Sequence, residues 1–340
     1  MKLIKKSMKK RTGIARHFLI LSFFHFFIVT SCKFDKQQTD TTETAKIERP
    51  AFSSDSAFAY VQQQVSFGPR IPGSISQIKC AAWLEKKLQQ FGASVIIQNI
   101  NVTLYNGKSV PCINVIGSYN PQVPRRILLC SHWDTRPFAD QEKDPADQRK
   151  TFDGADDGPS GVGVLLEIAR QLQQKNPEIG VDIVFLDVED YGQPEYEKQP
   201  EKADFYCLGT QYWCKNPHVA GYRAENGILL DMVGGKGATF TYEGISMQYA
   251  QGFMKQVWKN AAELGYSNIF ILQPTEQIID DHYYINTIAR IPTIDIIYLS
   301  FSTTSGFAPH WHTLKDNMDI IDKGVLQAVG ETVLATVYNF

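Results

Sequence analysis

Two adjacent carboxylates, Glu189 and Asp190, stand directly after an apolar segment with the sequence VDIVFLDV. The segment is typical of a buried β-strand, and each of two neighbouring carboxylates raises the free-energy cost of ionising the other. A bound metal cation would offset this repulsion. It would take one carboxylate as a ligand and leave the other as a general acid/base with a raised pKa.

Further acidic and imidazole side chains follow other strand-like segments or stand in a glycine-rich turn before a helix-like segment. They are His132, Asp134, Asp156, Asp157, Asp231, His310 and His312. Taken singly, an Asp before a helix is usually an N-cap, and a lone His is usually a hydrogen-bonded surface residue. Because the carboxyl ends of parallel strands meet in one crevice, we expect the set to converge. Zinc accepts such ligands and keeps a position open for substrate.

The elements that would position these residues alternate along the chain. Residues 94–104, 112–119, 125–132, 181–187, 226–234 and 291–300 are predicted as strands, and residues 76–92, 159–174, 249–265 and 324–340 as helices. This alternation predicts an α/β fold. We expect a three-layer α/β/α sandwich with a central mixed, mostly parallel twisted sheet and helices on both faces.

The composition indicates a globular protein. The chain has 340 residues, of which 43% are hydrophobic and 12% aromatic, and this is enough to bury a large core. The formal net charge of -2 provides no strong field for nucleic acid. No long linker or internal repeat interrupts the pattern, so residues 54–340 are predicted to form a single domain.

The N-terminus has the pattern of an export signal. A cationic segment precedes an apolar one that ends in Val29-Thr30-Ser31-Cys32, which resembles a bacterial lipobox. We expect residues 1–31 to be a signal peptide, Cys32 to carry a lipid, and residues 32–53 to form a flexible tether. This would place the protein in the bacterial cell envelope, in the periplasm. A plain cleaved signal or an uncleaved anchor is the alternative.

The other cysteines show no zinc-knuckle spacing, so metal binding by thiolate is not expected. Cys207 and Cys214 are close in sequence and could form a disulfide in an oxidising compartment. The alternative is that all of these cysteines are buried free thiols.

The series HxD, GADDGPSG, DVED, LLDxVG, DDH and WHT occurs in this order from about Phe58 to the C-terminus. It resembles the zinc aminopeptidase superfamily and, within it, the glutaminyl-peptide cyclotransferases. The segments SHWDTRPFAD and PHWHT are similar to the bacterial branch of these enzymes. Each motif is weak alone, but their common order is specific.

The resemblance implies a role for each matching residue. Asp157, Asp190 and His312 would bind one zinc ion, and Glu189 would be the catalytic acid/base. Asp280 would share a proton with Glu189 through a hydrogen bond. The expected substrate contacts are Asp231 to the amine and Trp311 to the glutaminyl side chain.

Two assignments stay open. Trp133 and Phe307 are further candidates for an aromatic pocket wall, with burial in the core as the alternative. His132 and Asp231, together with the three zinc ligands, are also the ligands expected of a two-zinc aminopeptidase.

The sequence departs from the animal cyclases at two places. Asp190 stands where they have Glu, which keeps a carboxylate ligand. An insertion, GQPEYEKQPEKADFYC, and Asp295 stand where those enzymes have a pocket Trp and a strand His. The metal site is therefore more firmly predicted than the pocket walls.

Three functions are compatible with these residues. The first is cyclisation of the N-terminal Gln of peptides to pyroglutamate with release of ammonia, and this is the function we expect. The second is hydrolysis by a two-zinc aminopeptidase, which metal stoichiometry would separate from the first. The third is a non-catalytic binding module, which the complete set of ligands argues against. The sequence does not determine the oligomeric state.

Overall fold

The structure is a computed structural model that describes residues 2–4, 49–197 and 203–340. The predicted lipidated Cys32 and most of the predicted signal peptide and tether lie outside these residues. Elements are numbered in chain order. The strands are β1 (Lys2–Ile4), β2 (Ser94–Thr103), β3 (Ser109–Tyr119), β4 (Arg126–His132), β5 (Gly180–Leu186), β6 (Asn226–Asp231), β7 (Phe240–Tyr242), β8 (Phe270–Pro274), β9 (Gln277–Ile279) and β10 (Thr293–Ile297).

The α-helices are α1 (Ser54–Ser66), α2 (Ile75–Gln90), α3 (Pro159–Gln174), α4 (Leu208–Lys215), α5 (Gly244–Tyr249), α6 (Gln251–Glu263), α7 (Asp281–Tyr284) and α8 (Lys323–Tyr338). A π-helical turn, Ile285–Ala289, continues α7, and short 3-10 turns occur at Ala203–Phe205 and Met318–Ile320. Helix α1 was not predicted. Its N-terminus is capped by Ser53, whose hydroxyl accepts from the Ser56 amide at 3.2 Å.

The main sheet has six strands in the order β10-β6-β4-β5-β3-β2. Strands β10, β6, β4 and β5 run parallel, whereas β3 is antiparallel to β5 and β2 is antiparallel to β3. Every segment predicted as a strand lies in this sheet, and the expected mixed, mostly parallel architecture is confirmed. Two small pairs, β1 with β9 and β7 with β8, lie outside it.

Both faces of the sheet are covered because neighbouring strand residues point to opposite sides. Ile127 and Leu129 of β4 belong to the larger core, which includes residues of α1, α2, α3, α6 and α8. Leu128 and Cys130 belong to a second cluster with Trp213 of α4 and Ile285 of the π-helical turn. The predicted three-layer sandwich is therefore confirmed.

Cys207 and Cys214 are both free and buried, as are the other described cysteines. The disulfide between these two residues is therefore not formed, and the free-thiol alternative holds. Cys207 caps α4 and Cys214 lies in its last turn. Cys207 and Cys214 are seven positions apart, and a helical rise over seven positions puts their Cα atoms about 10 Å apart. This distance is beyond the reach of a disulfide.

Within residues 2–4, 49–197 and 203–340, no helix combines the length and apolarity needed to cross a bilayer.

Helix α3 approaches the sheet closely at Gly161. A Cβ atom there would lie 2.4 Å from Ser131 Oγ and 2.5 Å from the Leu230 carbonyl oxygen. We expect Gly161→Ala to lower the free energy of unfolding by about 1–3 kcal/mol through overpacking. Gly252→Ala in α6 is the matched control because nothing lies within 4 Å of its Cβ position.

The control should be neutral or up to about 1 kcal/mol more stable, since Ala favours helix over Gly. Urea denaturation of both variants measures the difference. Equal stability changes in the two variants would contradict the close approach.

Candidate metal centre

The predicted site residues converge at the carboxyl edge of the sheet. His132 is the last residue of β4 and Asp231 the last of β6. Glu189 and Asp190 follow β5, and the loop after β10 brings in His312. Asp157 joins them from the turn before α3. The strand order thus unites residues that lie far apart in the sequence.

Asp157, Asp190 and His312 form a buried triplet whose ligand atoms lie within 4.8 Å of one another. Nε2 of His312 lies 3.1 Å from Asp190 Oδ1 and 3.5 Å from Asp157 Oδ2. Nevertheless, Oδ2 of Asp157, Oδ2 of Asp190 and both His312 nitrogens lack a hydrogen-bond partner of good geometry. A buried polar atom without a partner costs about 1–3 kcal/mol. One imidazole and two carboxylates match the donors that zinc prefers, so the triplet fits this ion.

A second triplet, His132, Asp157 and Asp231, shares Asp157 with the first. His132 Nε2 contacts Asp157 Oδ1 at 3.0 Å and Asp231 Oδ1 at 3.3 Å, while its Nδ1 lies 3.4 Å from Asp134 Oδ1. Burial alone would lower the pKa of His132, but these carboxylates raise it well above the ordinary value. The imidazole therefore already neutralises negative charge in this triplet.

Asp134 fixes the backbone of the two adjacent carboxylates. Its Oδ1 accepts from the Glu189 amide at 3.1 Å, and its Oδ2 accepts from the Asp190 amide at 3.2 Å. Val188, just before them, has φ of 54°, a left-handed conformation that is strained for a β-branched residue. This turn directs Glu189 and Asp190 to different sides of the site.

The two carboxylates have opposite pKa shifts. Burial and the neighbouring Asp190 raise the pKa of Glu189 well above its usual value, although His132 opposes the shift. Burial also disfavours the anion of Asp190, but His312 and Arg136 lower its pKa overall. Glu189 is thus suited to hold a proton and Asp190 to bind a cation, which agrees with the division expected from the sequence.

Arg136 and Asp140 support the ligands from behind and were not identified from the sequence. The Arg136 guanidinium donates to both Asp140 oxygens at 2.8 and 2.6 Å and to the Asp190 carbonyl oxygen at 2.9 Å. Asp140 Oδ1 also lies 3.5 Å from His312 Nδ1. Arg136 and His312 keep the pKa of Asp140 low despite its burial. Their only sequence signal is that Asp140 ends the segment SHWDTRPFAD.

The turn that carries Asp157 is held by Asp316, which the sequence also did not reveal. Its carboxylate accepts from the amides of Ala155, Asp156 and Asp157 at 3.0, 2.7 and 3.2 Å. His310 Nε2 lies 2.8 Å from Asp156 Oδ2. His310 and Asp156 therefore support the turn, and neither belongs to the ligand triplets.

Asp280 lies beside Glu189, as expected. One side-chain atom from each of Glu189, Asp280 and Cys207 lies within 4.8 Å of the others. The Cys207 thiol donates to Glu189 Oε1 at 3.5 Å. Cys207 is a neighbour of the acid/base candidate that sequence reasoning did not find.

The three predicted aromatic residues, Trp133, Phe307 and Trp311, are all buried and belong to the larger core, but only Trp311 stacks directly on a ligand of the triplet. The Trp311 ring stacks on His312 with centroids 3.8 Å apart, and Phe307 lies 4.5 Å from Trp311. Trp133 is fully buried in the larger core, and its indole donates to the Ile113 carbonyl oxygen. Trp133 therefore has the core location that was its alternative, because it alternates in direction with His132.

The chain is similar in sequence and in structure to known enzymes. Residues 114–337 match Peptidase family M28. The crystal structure of Tannerella forsythia glutaminyl cyclase is 51% identical, with a TM-score of 0.84, over 86% of this chain and 100% of its own. A Zn-dependent exopeptidase from Parabacteroides distasonis is 49% identical, with a TM-score of 0.85 and the same coverage.

A more distant relative is the glutaminyl-peptide cyclotransferase of Boiga dendrophila. It is 21% identical over 305 residues, which cover 80% of this chain and 77% of the relative. The similarity thus extends over most of both proteins.

Asp140 is expected to orient His312 for the metal. Loss of such a carboxylate behind a ligand imidazole typically weakens metal affinity about 10- to 100-fold. We therefore expect Asp140→Asn to bind zinc that much more weakly in a chelator competition. Asp147→Asn, a loop residue that pairs with exposed Lys150, is the control and should bind zinc as the wild type does. Wild-type affinity in Asp140→Asn would contradict the orienting role.

Proposed function

Because the chain belongs to peptidase family M28, we propose that it is a zinc-dependent glutaminyl-peptide cyclotransferase. It converts the N-terminal Gln of peptides and proteins to pyroglutamate and releases ammonia. The observation that carries the proposal is the set of unpartnered buried ligand atoms on Asp157, Asp190 and His312, with Glu189 next to them. The extensive identity to a bacterial glutaminyl cyclase supports the same reaction.

Asp157, Asp190 and His312 would hold one zinc ion. When bound, zinc supplies Lewis-acid chemistry for the γ-carbonyl of the substrate glutamine. A single ion is favoured because the atoms of the second triplet are already partnered through His132.

Glu189 moves the proton. It takes a proton from the substrate α-amine as that nitrogen forms a bond to the carbonyl carbon of the side-chain amide, Cδ of the glutamine. It then delivers the proton to the departing amide nitrogen, the carbon–nitrogen bond breaks, and ammonia leaves. The raised pKa of Glu189 suits a group that must both accept and return a proton near neutral pH. Water is not a reactant in these steps.

The surrounding residues would orient the substrate. Asp231 at the end of β6 would receive the α-amine, and Trp311 would line the side of the glutaminyl chain, with Phe307 packed behind it. An intramolecular attack needs the amine and the γ-carbonyl in a fixed near-attack geometry. Glu189 and Asp231 are only 4% and 3% exposed, so the reaction would occur away from bulk water.

Hydrolysis by a two-zinc aminopeptidase is the second candidate. One observation favours it, because the two ligand triplets share Asp157, as two neighbouring metal ions would require. A similar structure is also described as a Zn-dependent exopeptidase. The 51% identity to a bacterial glutaminyl cyclase over 86% of this chain favours the cyclase instead.

Cyclase activity is tested by mass spectrometry with one peptide that begins with Gln and another that begins with Leu. We expect the wild type to remove one ammonia from the Gln peptide and leave the Leu peptide intact. Glu189→Gln should abolish turnover and keep zinc, because the amide cannot exchange the proton. Glu225→Gln, an exposed partner of Arg125, is the control and should retain full activity.

Two results would contradict this proposal. Removal of whole residues from either peptide, with two metal ions per chain, would identify an aminopeptidase. Loss of zinc together with activity in Glu189→Gln would argue against a catalytic role for Glu189.

We further propose that the enzyme is exported and tethered by a lipid on Cys32. The motif Val29-Thr30-Ser31-Cys32 and the polar segment after it support this arrangement. In the periplasm the enzyme would act on exported proteins whose processing exposes an N-terminal Gln.

The anchor is tested by cell fractionation. Cys32→Ser should move the full-length protein from the membrane to the soluble fraction or leave it unprocessed, because serine cannot form the thioether to lipid. Thr42→Ser in the tether should remain in the membrane fraction. A membrane-bound Cys32→Ser protein of the processed mass would refute the lipid anchor.

A further inference from the structure

A connected group of buried polar residues lies behind Glu189 and takes no part in the steps described above. Its members come from α5, α7 and β10 and from the residues just before these helices, and all are at most 1% exposed. They are Glu243, Ser246, Asp280, His282 and Asp295. Burial of this many ionisable groups is costly unless each has a defined partner.

Glu243 is the fixed anion of the group. Its carboxylate accepts from the Ile245 and Ser246 amides at 2.8 and 2.7 Å, from the Ser246 hydroxyl at 2.8 Å, and from the Ile278 amide at 3.0 Å. Burial would raise its pKa, but His282 and these donors lower it. Glu243 therefore holds its charge and its position.

His282 lies between two carboxylates. Its Nε2 is 3.0 Å from Glu243 Oε2, and its Nδ1 is 3.5 Å from Asp295 Oδ2. An ionised carboxylate only accepts hydrogen bonds, so Nε2 carries the proton and donates it to Glu243. Glu243 thus orients the imidazole, and the imidazole presents Nδ1 to Asp295.

Asp295 is held through its backbone amide and through its side chain. Its amide donates to the Ser246 hydroxyl at 2.9 Å, and that hydroxyl donates to Glu243. Its side chain meets Asp280, and one atom from each of Asp280, His282 and Asp295 lies within 4.8 Å of the others. Both Asp295 side-chain oxygens and Asp280 Oδ2 lack a donor. Burial and the neighbouring Asp280 raise the pKa of Asp295 well above its usual value, so Asp295 is suited to hold a proton.

The geometry points to Glu243 and His282 as positioning residues that hold Asp295 against Asp280, which in turn lies next to Glu189. The inference rests on the proposed cyclisation, since it assigns a role in the proton transfer of Glu189. Asp280 connects Glu189 with this buried group. It belongs to the cluster of Asp280, His282 and Asp295 and also to a second cluster, in which one side-chain atom from each of Glu189, Cys207 and Asp280 lies within 4.8 Å of the others. An Asp280 side chain that is held in place in this way would keep the Glu189 carboxyl oriented during the proton transfer.

The test compares Asp295→Asn, His282→Gln and the double variant in steady-state cyclisation of a Gln peptide. Asparagine keeps the shape of Asp295 but cannot release a proton, and glutamine keeps a donor for Glu243. We expect each single variant to lose on the order of 10- to 100-fold in kcat. KM and zinc content should be unchanged, and the double variant should lose no more than the worse single variant, because the residues act as one unit.

Asp182→Asn is the matched control for loss of a buried carboxylate. Asp182 pairs with Arg126 at the opposite edge of the sheet. This variant should lose stability, but its folded fraction should keep the wild-type kcat. If Asp295→Asn does not fold, Ser246→Ala removes the hydroxyl between Asp295 and Glu243 and leaves every charge in place. It should show a smaller fall in kcat at constant KM.

Several outcomes would overturn the inference. These are a wild-type kcat in the folded variants, a rise in KM in place of the fall in kcat, or independent effects that multiply in the double variant. Loss of a metal ion together with kcat would reassign Asp280, His282 and Asp295 as a cation site. A wild-type chain that forms no pyroglutamate would overturn this inference together with the proposed function. Wild-type cyclisation with unaffected variants would overturn the positioning role alone.

Discussion

Repulsion among buried carboxylates is the constraint on which the site depends. The carboxyl edge of the sheet gathers Asp134, Asp157, Glu189, Asp190 and Asp231 within a region from which water is largely excluded. Such an arrangement would unfold the chain or neutralise the acids unless each negative charge had its own compensation. The surrounding structure can be understood as a set of separate solutions to this problem.

Each solution uses a different donor. Peptide amides donate to Asp134 and Asp316, which in return fix the turns that carry the ligands. The Arg136 guanidinium compensates Asp140, and the His132 imidazole lies between Asp157 and Asp231. Asp157 Oδ2 and Asp190 Oδ2 remain without a donor, beside His312. A metal ion is the compensation that these remaining atoms require.

The sequence was sufficient for the sheet and for the residues that converge on it, because continuous apolar strands and the acids after them are local patterns. It was insufficient where position depends on distant contacts. Arg136 reaches Asp190 across 54 residues, so no local pattern reveals the pairing. Trp133 was a candidate for an aromatic pocket wall with the core as its alternative, and strand alternation directs it into the core. Helix α1 was missed, and its position depends on a distant contact, because Ala57 and Val61 pack against Gly163 of α3.

The same set of ligand residues could bind one metal ion or two. The two ligand triplets share Asp157, so a second ion would take His132 and Asp231 as its further ligands. A substrate α-amine and a second metal ion would therefore compete for Asp231. The occupant of Asp231 thus separates the two reactions, because an amine there would be the nucleophile of cyclisation, whereas a second metal ion would supply a water for hydrolysis.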